Sequence, residues 1–168
     1  MRPVYLLMNT HWAWPICETL HFFGLSLLIG SIGAFDLRLL GLAKNIPISA
    51  MHRFIRWGIF GYMLNICTGA MFLMAAPDQY IYNPSFHFKV LFMAVAGLNV
   101  LAFYSTMYTR VRTLAPGATA PLPARFMAMI SLSMWIGVII GGRMLTFYRP
   151  AACEQKVQTF PFYCSPIQ

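Results

Sequence analysis

The sequence has little charge and very little acid. Charged residues make up 10% of the 168 residues, and Asp and Glu together number four. A soluble domain carries about 25% charged residues, so this chain lacks the side chains that a water-facing surface needs. Its hydrophobic fraction of 59% also excludes a disordered chain, which requires low hydrophobicity. The composition therefore excludes a soluble enzyme and indicates an integral membrane protein.

Motifs of soluble catalysis are also missing. The sequence has no Gly-rich phosphate loop, no Cys-x-x-Cys pair and no His-Glu-x-x-His motif. It also lacks Cys-x-x-Cys-His, the motif that attaches haem covalently. Whether the protein is an enzyme stays open at this point.

Four apolar runs predict four membrane-spanning helices. A spanning helix needs about 20 apolar residues, whereas a strand of a membrane barrel needs only about 10. The runs are continuous and of the longer kind, so we predict an all-α, integral membrane four-helix bundle over residues 1–150. The predicted spans are residues 14–35, 57–76, 86–108 and 126–148, and residues 151–168 form a tail outside the membrane.

Basic residues cluster in the first and third loops and are absent from the second, residues 77–85. They are Arg38, Lys44, Arg53, Arg56, Arg110, Arg112 and Arg125. Because basic loops stay in the cytoplasm, we expect both termini on the outer, periplasmic side of a bacterial inner membrane. Basic residues that flank apolar spans normally orient a chain in the bilayer, so the net charge of +8 does not indicate nucleic acid, and we expect no nucleic-acid partner.

The tail contains Cys153 and Cys164, with ten residues between them. In an oxidising compartment such a pair closes a loop as a disulfide. We expect this disulfide, which agrees with a periplasmic tail. The alternative is two free thiols near the membrane surface.

Several ionisable residues fall within the predicted spans. Such residues usually face a partner, a cavity or a cofactor. With a helical rise of about 1.5 Å per residue, five of them, from spans one, three and four, are predicted to share one level in the outer leaflet. They are Glu18, His21, His87, Lys89 and Arg143, and we call this set the outer polar layer.

A b-type haem is one interpretation of this layer. His21 and His87 would be its iron ligands, and its propionates would point outward to Lys89 and Arg143. Gly24, three residues after His21, would leave room for the porphyrin face.

Two other interpretations stay open. A quinone head group also suits a histidine, a carboxylate and a cation near the membrane interface. Alternatively the layer is structural, with Glu18 paired to Arg143 or Lys89 as a buried ion pair.

Other polar residues have simpler expected partners. Asp36, near the inner side, is expected to pair with Arg53 or Arg56. Asn65 and Asn99, near mid-membrane, are expected to hydrogen-bond each other, a gain of about 1 kcal/mol.

Four segments carry a resemblance to a known family. They are Glu18–Leu25, Asp36–Gly41, Phe86–Lys89 and Trp135–Arg143. Over residues 14–148 the chain resembles an uncharacterised family of four-helix bacterial inner-membrane proteins, which implies the four-span topology but no activity. More loosely, it is similar in architecture to the membrane cytochrome b and copper-resistance D groups, which are helical bundles with membrane histidines.

Two functional hypotheses follow. In the first, the protein is a small membrane subunit of a larger complex that transfers electrons through a b-type haem or quinone site in the outer leaflet. In the second, it is a non-catalytic subunit that anchors such a complex. Both imply membrane lipid and other membrane or periplasmic subunits as partners.

Overall fold

A computed structural model describes Met8 and residues 10–147. Over this range the protein is all-α, and four of its helices are long and apolar enough to cross a membrane. The helices are α1 (Ala13–Leu40), α2 (Ile48–Ala75), α3 (Pro77–Ile81), α4 (Pro84–Thr106), α5 (Tyr108–Val111) and α6 (Leu122–Met144). The chain is thus a multi-pass membrane protein with α1, α2, α4 and α6 as candidate spans. Cys153, Cys164 and their predicted disulfide lie outside the described residues.

Helix α1 ends at a glycine cap. Gly41 adopts a φ of 106°, which glycine reaches without steric cost. Its N–H donates to the carbonyl of Arg38, and the N–H of Leu42 donates to the carbonyl of Leu37, the paired bonds of a Schellman motif. Asp36 and Arg38 therefore lie inside the helix rather than beyond its end.

Helix α4 begins at Pro84, two residues before the start of the predicted span 86–108. The side chain of Asn83 accepts a hydrogen bond of 3.0 Å from the backbone N–H of Ser85, which caps the first turn. Pro84 occupies the first helical position, where its missing N–H costs nothing.

The four long helices pack as two hairpins. Helix α1 packs along α2, α4 packs along α6, and α1 also contacts α6. Close backbone contacts therefore follow the order α2–α1–α6–α4 around the bundle, and α2 also meets α4 through the side chains of His52 and Tyr104. We call the end that carries residues 41–47 and 107–121 the basic end, and the other end, where α3 lies, the opposite end.

Glycines allow the closest approach within the first hairpin. A Cβ on Gly61 of α2 would overlap the carbonyl oxygen of Gly24 and lie 3.0 Å from the backbone nitrogen of Leu28. Gly24 thus packs against the α2 backbone, and the predicted space for a porphyrin at Gly24 is not there. In the second hairpin, a Cβ on Gly137 would lie 2.8 Å from the ring of Phe92.

The two mid-membrane asparagines do not bond each other. The amide of Asn65 donates to the carbonyl of Gly61 in its own helix, at 2.9 Å. The amide of Asn99 donates to the carbonyl of Met127 on α6, at 3.0 Å. The prediction of a mutual bond was wrong because the two residues lie at different levels: Asn65 is 17 residues from the basic end of α2, whereas Asn99 is seven residues from the basic end of α4.

Candidate functional site

His21 of the outer polar layer is held by a threonine of α2. Its Nδ1 lies 2.7 Å from the hydroxyl oxygen of Thr68, and that hydroxyl lies 2.7 Å from the carbonyl of Leu64. A carbonyl only accepts, so the Thr68 hydroxyl donates to it and must accept from His21. This pattern assigns the proton of the neutral ring to Nδ1 and leaves a lone pair on Nε2.

Aromatic rings surround the half-buried His21. Its ring meets Phe72 edge-on, with centroids 5.8 Å apart, and Phe72 packs against Trp14 at 4.9 Å. The Thr68 bond and these rings fix the orientation of the imidazole between α1 and α2.

His87, on the first turn of α4, also forms its hydrogen bond through Nδ1. Its Nδ1 lies 3.0 Å from the carbonyl of Asn83, so Nδ1–H donates and Nε2 carries the lone pair. The side chain is exposed on the bundle surface. Within residues 10–147, neither His21 nor His87 has a hydrogen-bond partner at Nε2.

Lys89 lies along α6 at this level. A Cβ on Gly142 would be 3.8 Å from its ammonium nitrogen, and a Cβ on Gly141 would be 3.3 Å from its Cβ. The two glycines make room for the lysine side chain, which is half-buried and lies within electrostatic reach of His21. Lys89 and His21 are therefore close enough to interact electrostatically, and their assignment to one functional site stays a prediction.

Glu18 and Arg143 are not paired. Both side chains are exposed, and neither has an ion-pair partner among the residues that the structure describes. Cys17, one position earlier, takes the buried place on α1, and its thiol faces the carbonyl of Thr68 at 3.7 Å. Successive residues are about 100° apart around a helix, so Glu18 is turned away, and the predicted Glu18–Arg143 ion pair was wrong.

The short helix α3 borders the layer at the opposite end. Burial raises the pKa of the Tyr80 hydroxyl to about 12, with added effects from Cys17 and Glu18, so the phenol stays neutral. The Tyr80 ring packs on Phe86 with centroids 5.7 Å apart. Helix α3 thus links the start of α1 with the start of α4.

A second polar site lies near the basic end, and the sequence did not predict it. Asp36 is only 5% exposed, the Ser131 hydroxyl faces its carboxyl, and its Oδ2 has no hydrogen-bond partner. With Ser131, Asn99 and Tyr104, Asp36 lines a cavity of about 50 Å³ whose other walls are apolar. We call it the Asp36 cavity.

The expected partners of Asp36 lie elsewhere. Arg53 and Arg56 are on the first turns of α2 with exposed side chains, so the predicted ion pair with Asp36 was wrong. The helical wheel explains this, because α1 continues to Leu40 and turns Asp36 towards α6. One sequence feature could have indicated this site: Asp36 is an isolated acidic residue, and four more residues of α1 follow it.

Arg38 is buried, with 1% of its surface exposed. Its Nε donates to the carbonyl of Ile46 at 2.7 Å, and its Nη1 donates to the carbonyl of Ala118 at 3.5 Å. Arg38 therefore ties the segments 41–47 and 107–121 to α1.

His52 and Tyr104 connect the Asp36 cavity with the basic end. The Nε2 of His52 lies 3.1 Å from the hydroxyl of Tyr104, and the His52 ring packs on Tyr108 at 4.9 Å. Tyr104 is at once a wall of the cavity and 38% exposed, so it lies at the cavity mouth.

The described part of the chain contains no group of three or more His, Cys, Asp or Glu side chains that could hold a metal ion. A two-histidine haem site does not require such a group. The resemblance to the four-helix inner-membrane family rests on the segments around His21, Asp36, Lys89 and Arg143, and it stays a prediction. Comparison of the chain with protein-family models, with curated proteins and with solved structures found no match.

Proposed function

We propose that this protein is a small membrane subunit of a larger complex, with a b-type haem held by His21 and His87 in the outer polar layer. The observation that carries the proposal is the shared bonding pattern of the two histidines. Each donates through Nδ1–H to a protein oxygen and leaves Nε2 free. Histidines that bind metals almost always have this arrangement, because the second hydrogen bond fixes tautomer and ring direction.

The other members of the layer have matching roles. The Lys89 ammonium, held beside α6, is the counter-charge for one propionate. The exposed Arg143 is free to meet the second, since no ion pair occupies it within the described range. When bound, haem supplies one-electron transfer; the chain itself orients the ligands and balances the charge.

The orientation belongs to the same proposal. The basic end carries Lys44, Arg110 and Arg112, and the segment 76–83 at the opposite end has no basic residue. The positive-inside rule then places the basic end in the cytoplasm and the haem site near the periplasm of a bacterial inner membrane. An electron partner would reach it from the periplasmic side.

A visible difference spectrum tests the haem. Protein purified from cells with an ample haem supply should show a Soret band and a b-type α band when reduced with dithionite. His21→Ala and His87→Ala should each abolish them, whereas His52→Ala, at the basic end, should not. A folded wild-type protein without these bands would overturn the haem proposal and favour the anchoring function, and equal loss in all three variants would refute the assignment of ligands.

A quinone head group is the second candidate, favoured by the proximity of Lys89 to His21. A cation and an imidazole at interface depth can each bond one quinone carbonyl. Binding of a short-chain ubiquinone to haem-free protein, measured by calorimetry, should be lost in Lys89→Met. Equal binding by Lys89→Met and wild type would exclude the quinone site.

A further inference from the structure

The Asp36 carboxyl is a buried polar group near the basic end that lacks a full set of partners. Only 5% of the side chain is exposed, and Oδ2 is buried without a hydrogen-bond partner. An ionised carboxylate in apolar surroundings costs far more than a protonated one unless a cation neutralises it. The charges around Asp36 therefore decide its state.

The described residues provide no such cation at the cavity. Helix α2 contributes Ile55 to the wall, α4 contributes Asn99 and Tyr104, and α6 contributes Ser131. On α1 itself, Arg38 directs Nε and Nη1 to the carbonyls of residues 46 and 118, its Nη2 is buried without a hydrogen-bond partner, and the residue does not line the cavity. The polar groups that face Asp36 are hydroxyls and an amide, which suit a protonated acid or water.

The cavity is large enough for water. Its volume is about 50 Å³, and one water requires roughly 10–15 Å³ together with two to four polar partners. Asp36, Ser131, Asn99 and Tyr104 supply those partners. A divalent cation would need six or more oxygen ligands, including carboxylates, and Asp36 is the single carboxylate in the wall.

We propose that the Asp36 cavity is an intramembrane proton-binding site that exchanges protons with the basic end through Tyr104 and His52. The His52 imidazolium gives its Nε2 proton to the Tyr104 hydroxyl oxygen, which passes its own proton to cavity water. That water passes a proton to Oδ2 of Asp36, so one N–H bond breaks, one O–H bond forms on Asp36, and no electrons are transferred. The proposal is independent of any cofactor in the outer polar layer.

Infrared spectroscopy of the full-length protein in lipid tests the proton on Asp36. At neutral pH we expect the C=O stretching band of a protonated carboxylic acid, which should be absent in Asp36→Asn. Asp78→Asn, the matched change of an aspartate at the opposite end, should keep the band. Absence of the band in folded wild-type protein, or its persistence in Asp36→Asn, would overturn the proposal.

Deuterium exchange of the same band tests the route. In D₂O the band should shift as Asp36 exchanges its proton, and Tyr104→Phe, which removes only the hydroxyl, should slow that shift at least tenfold. Ser105→Ala, an exposed hydroxyl on the same helix, is the control and should exchange like wild type. Equal exchange rates in Tyr104→Phe and wild type would rule out the Tyr104 route.

Discussion

At the scale of single residues, the Thr68 hydroxyl determines which ring nitrogen of His21 carries the proton and which keeps a lone pair. Thr68→Val keeps the shape of the side chain but removes the acceptor for Nδ1–H, so the ring should lose its fixed tautomer. Loss of such a supporting hydrogen bond typically costs about 10–100-fold in metal affinity. We expect a loss of this size in haem affinity, measured by titration and visible spectroscopy.

Thr68→Ser is the control, since it retains the hydroxyl. Nitrogen-15 NMR of the His21 ring reads the tautomer without haem and should show a mixture in Thr68→Val and the Nδ1–H form in Thr68→Ser. An unchanged Nδ1–H form in Thr68→Val would show that Thr68 does not set the tautomer.

Single side chains also mark where sequence reasoning ends. The relative level of His21 and Lys89 along their helices can be calculated from the sequence because helical rise is fixed. The neighbours of Asp36 and Glu18 could not, because they depend on the rotation of α1 against α2 and α6. That rotation follows from the packing of the buried residues Cys17, Leu28 and Phe35. Because α1 is apolar on all sides, its sequence does not indicate which face of the helix is buried.

At the scale of helices, the contact of α1 with α2 depends on Gly61. Gly61→Ala places a methyl group against the Gly24 carbonyl oxygen and 3.0 Å from the backbone nitrogen of Leu28, so the helices must separate. Overpacking of this kind costs about 1–3 kcal/mol. We expect a lower melting temperature in detergent, measured by fluorescence-detected gel filtration.

Gly30→Ala is the matched control, because a Cβ there meets nothing within 4 Å. It should be neutral or slightly stabilising, since alanine favours the helix by about 1 kcal/mol over glycine. Equal melting temperatures for Gly61→Ala and Gly30→Ala would show that the two backbones are not in contact.

The connecting segments of the basic end depend on Arg38. Arg38→Met removes its donors to the carbonyls of Ile46 and Ala118 and leaves both segments without their tie to α1. Hydrogen bonds from a charged group contribute about 1.5–3 kcal/mol. We expect faster proteolysis within residues 112–121, with Arg53→Met, an exposed arginine, as the control that cleaves at the wild-type rate. The same cleavage rate in Arg38→Met would mean that Arg38 does not hold these segments.

Helix boundaries were predictable where local chemistry sets them. The sequence Asn83-Pro84-Ser85 marks the start of α4 because cap and proline act within one turn. The partners of the two asparagines were not predictable, since Asn65 bonds within its own helix and Asn99 bonds across to α6. A mutual bond requires the two residues to share a level, but Asn99 lies closer to the basic end than Asn65 does.

At the scale of the whole molecule, four long apolar runs were enough to predict four spanning helices. Each such run buries its backbone hydrogen bonds within itself, the condition for crossing a bilayer as a helix. The order α2–α1–α6–α4 required the structure, because small residues such as Gly61 and Gly137 decide which helices approach. The Asp36 cavity exists only where α1, α2, α4 and α6 meet, so the sequence can mark Asp36 as a lone acid but cannot indicate the cavity around it.

The orientation of the bundle can be tested by cysteine labelling. Four crossings place the segments 41–47 and 107–121 on one side and the segment 76–83 on the other. In a background with the native cysteines replaced, Tyr82→Cys should react with an impermeant maleimide in cells whose inner membrane is intact. Asn45→Cys and Ala115→Cys, both at exposed positions, should react only after that membrane is permeabilised, because basic segments remain in the cytoplasm.

The reverse pattern would leave four spans but place His21 and His87 on the cytoplasmic side, where a periplasmic electron partner cannot reach them. Labelling of Asn45→Cys and Ala115→Cys from different sides would contradict the four-span arrangement itself, since α2 and α4 together must return the chain to the same face.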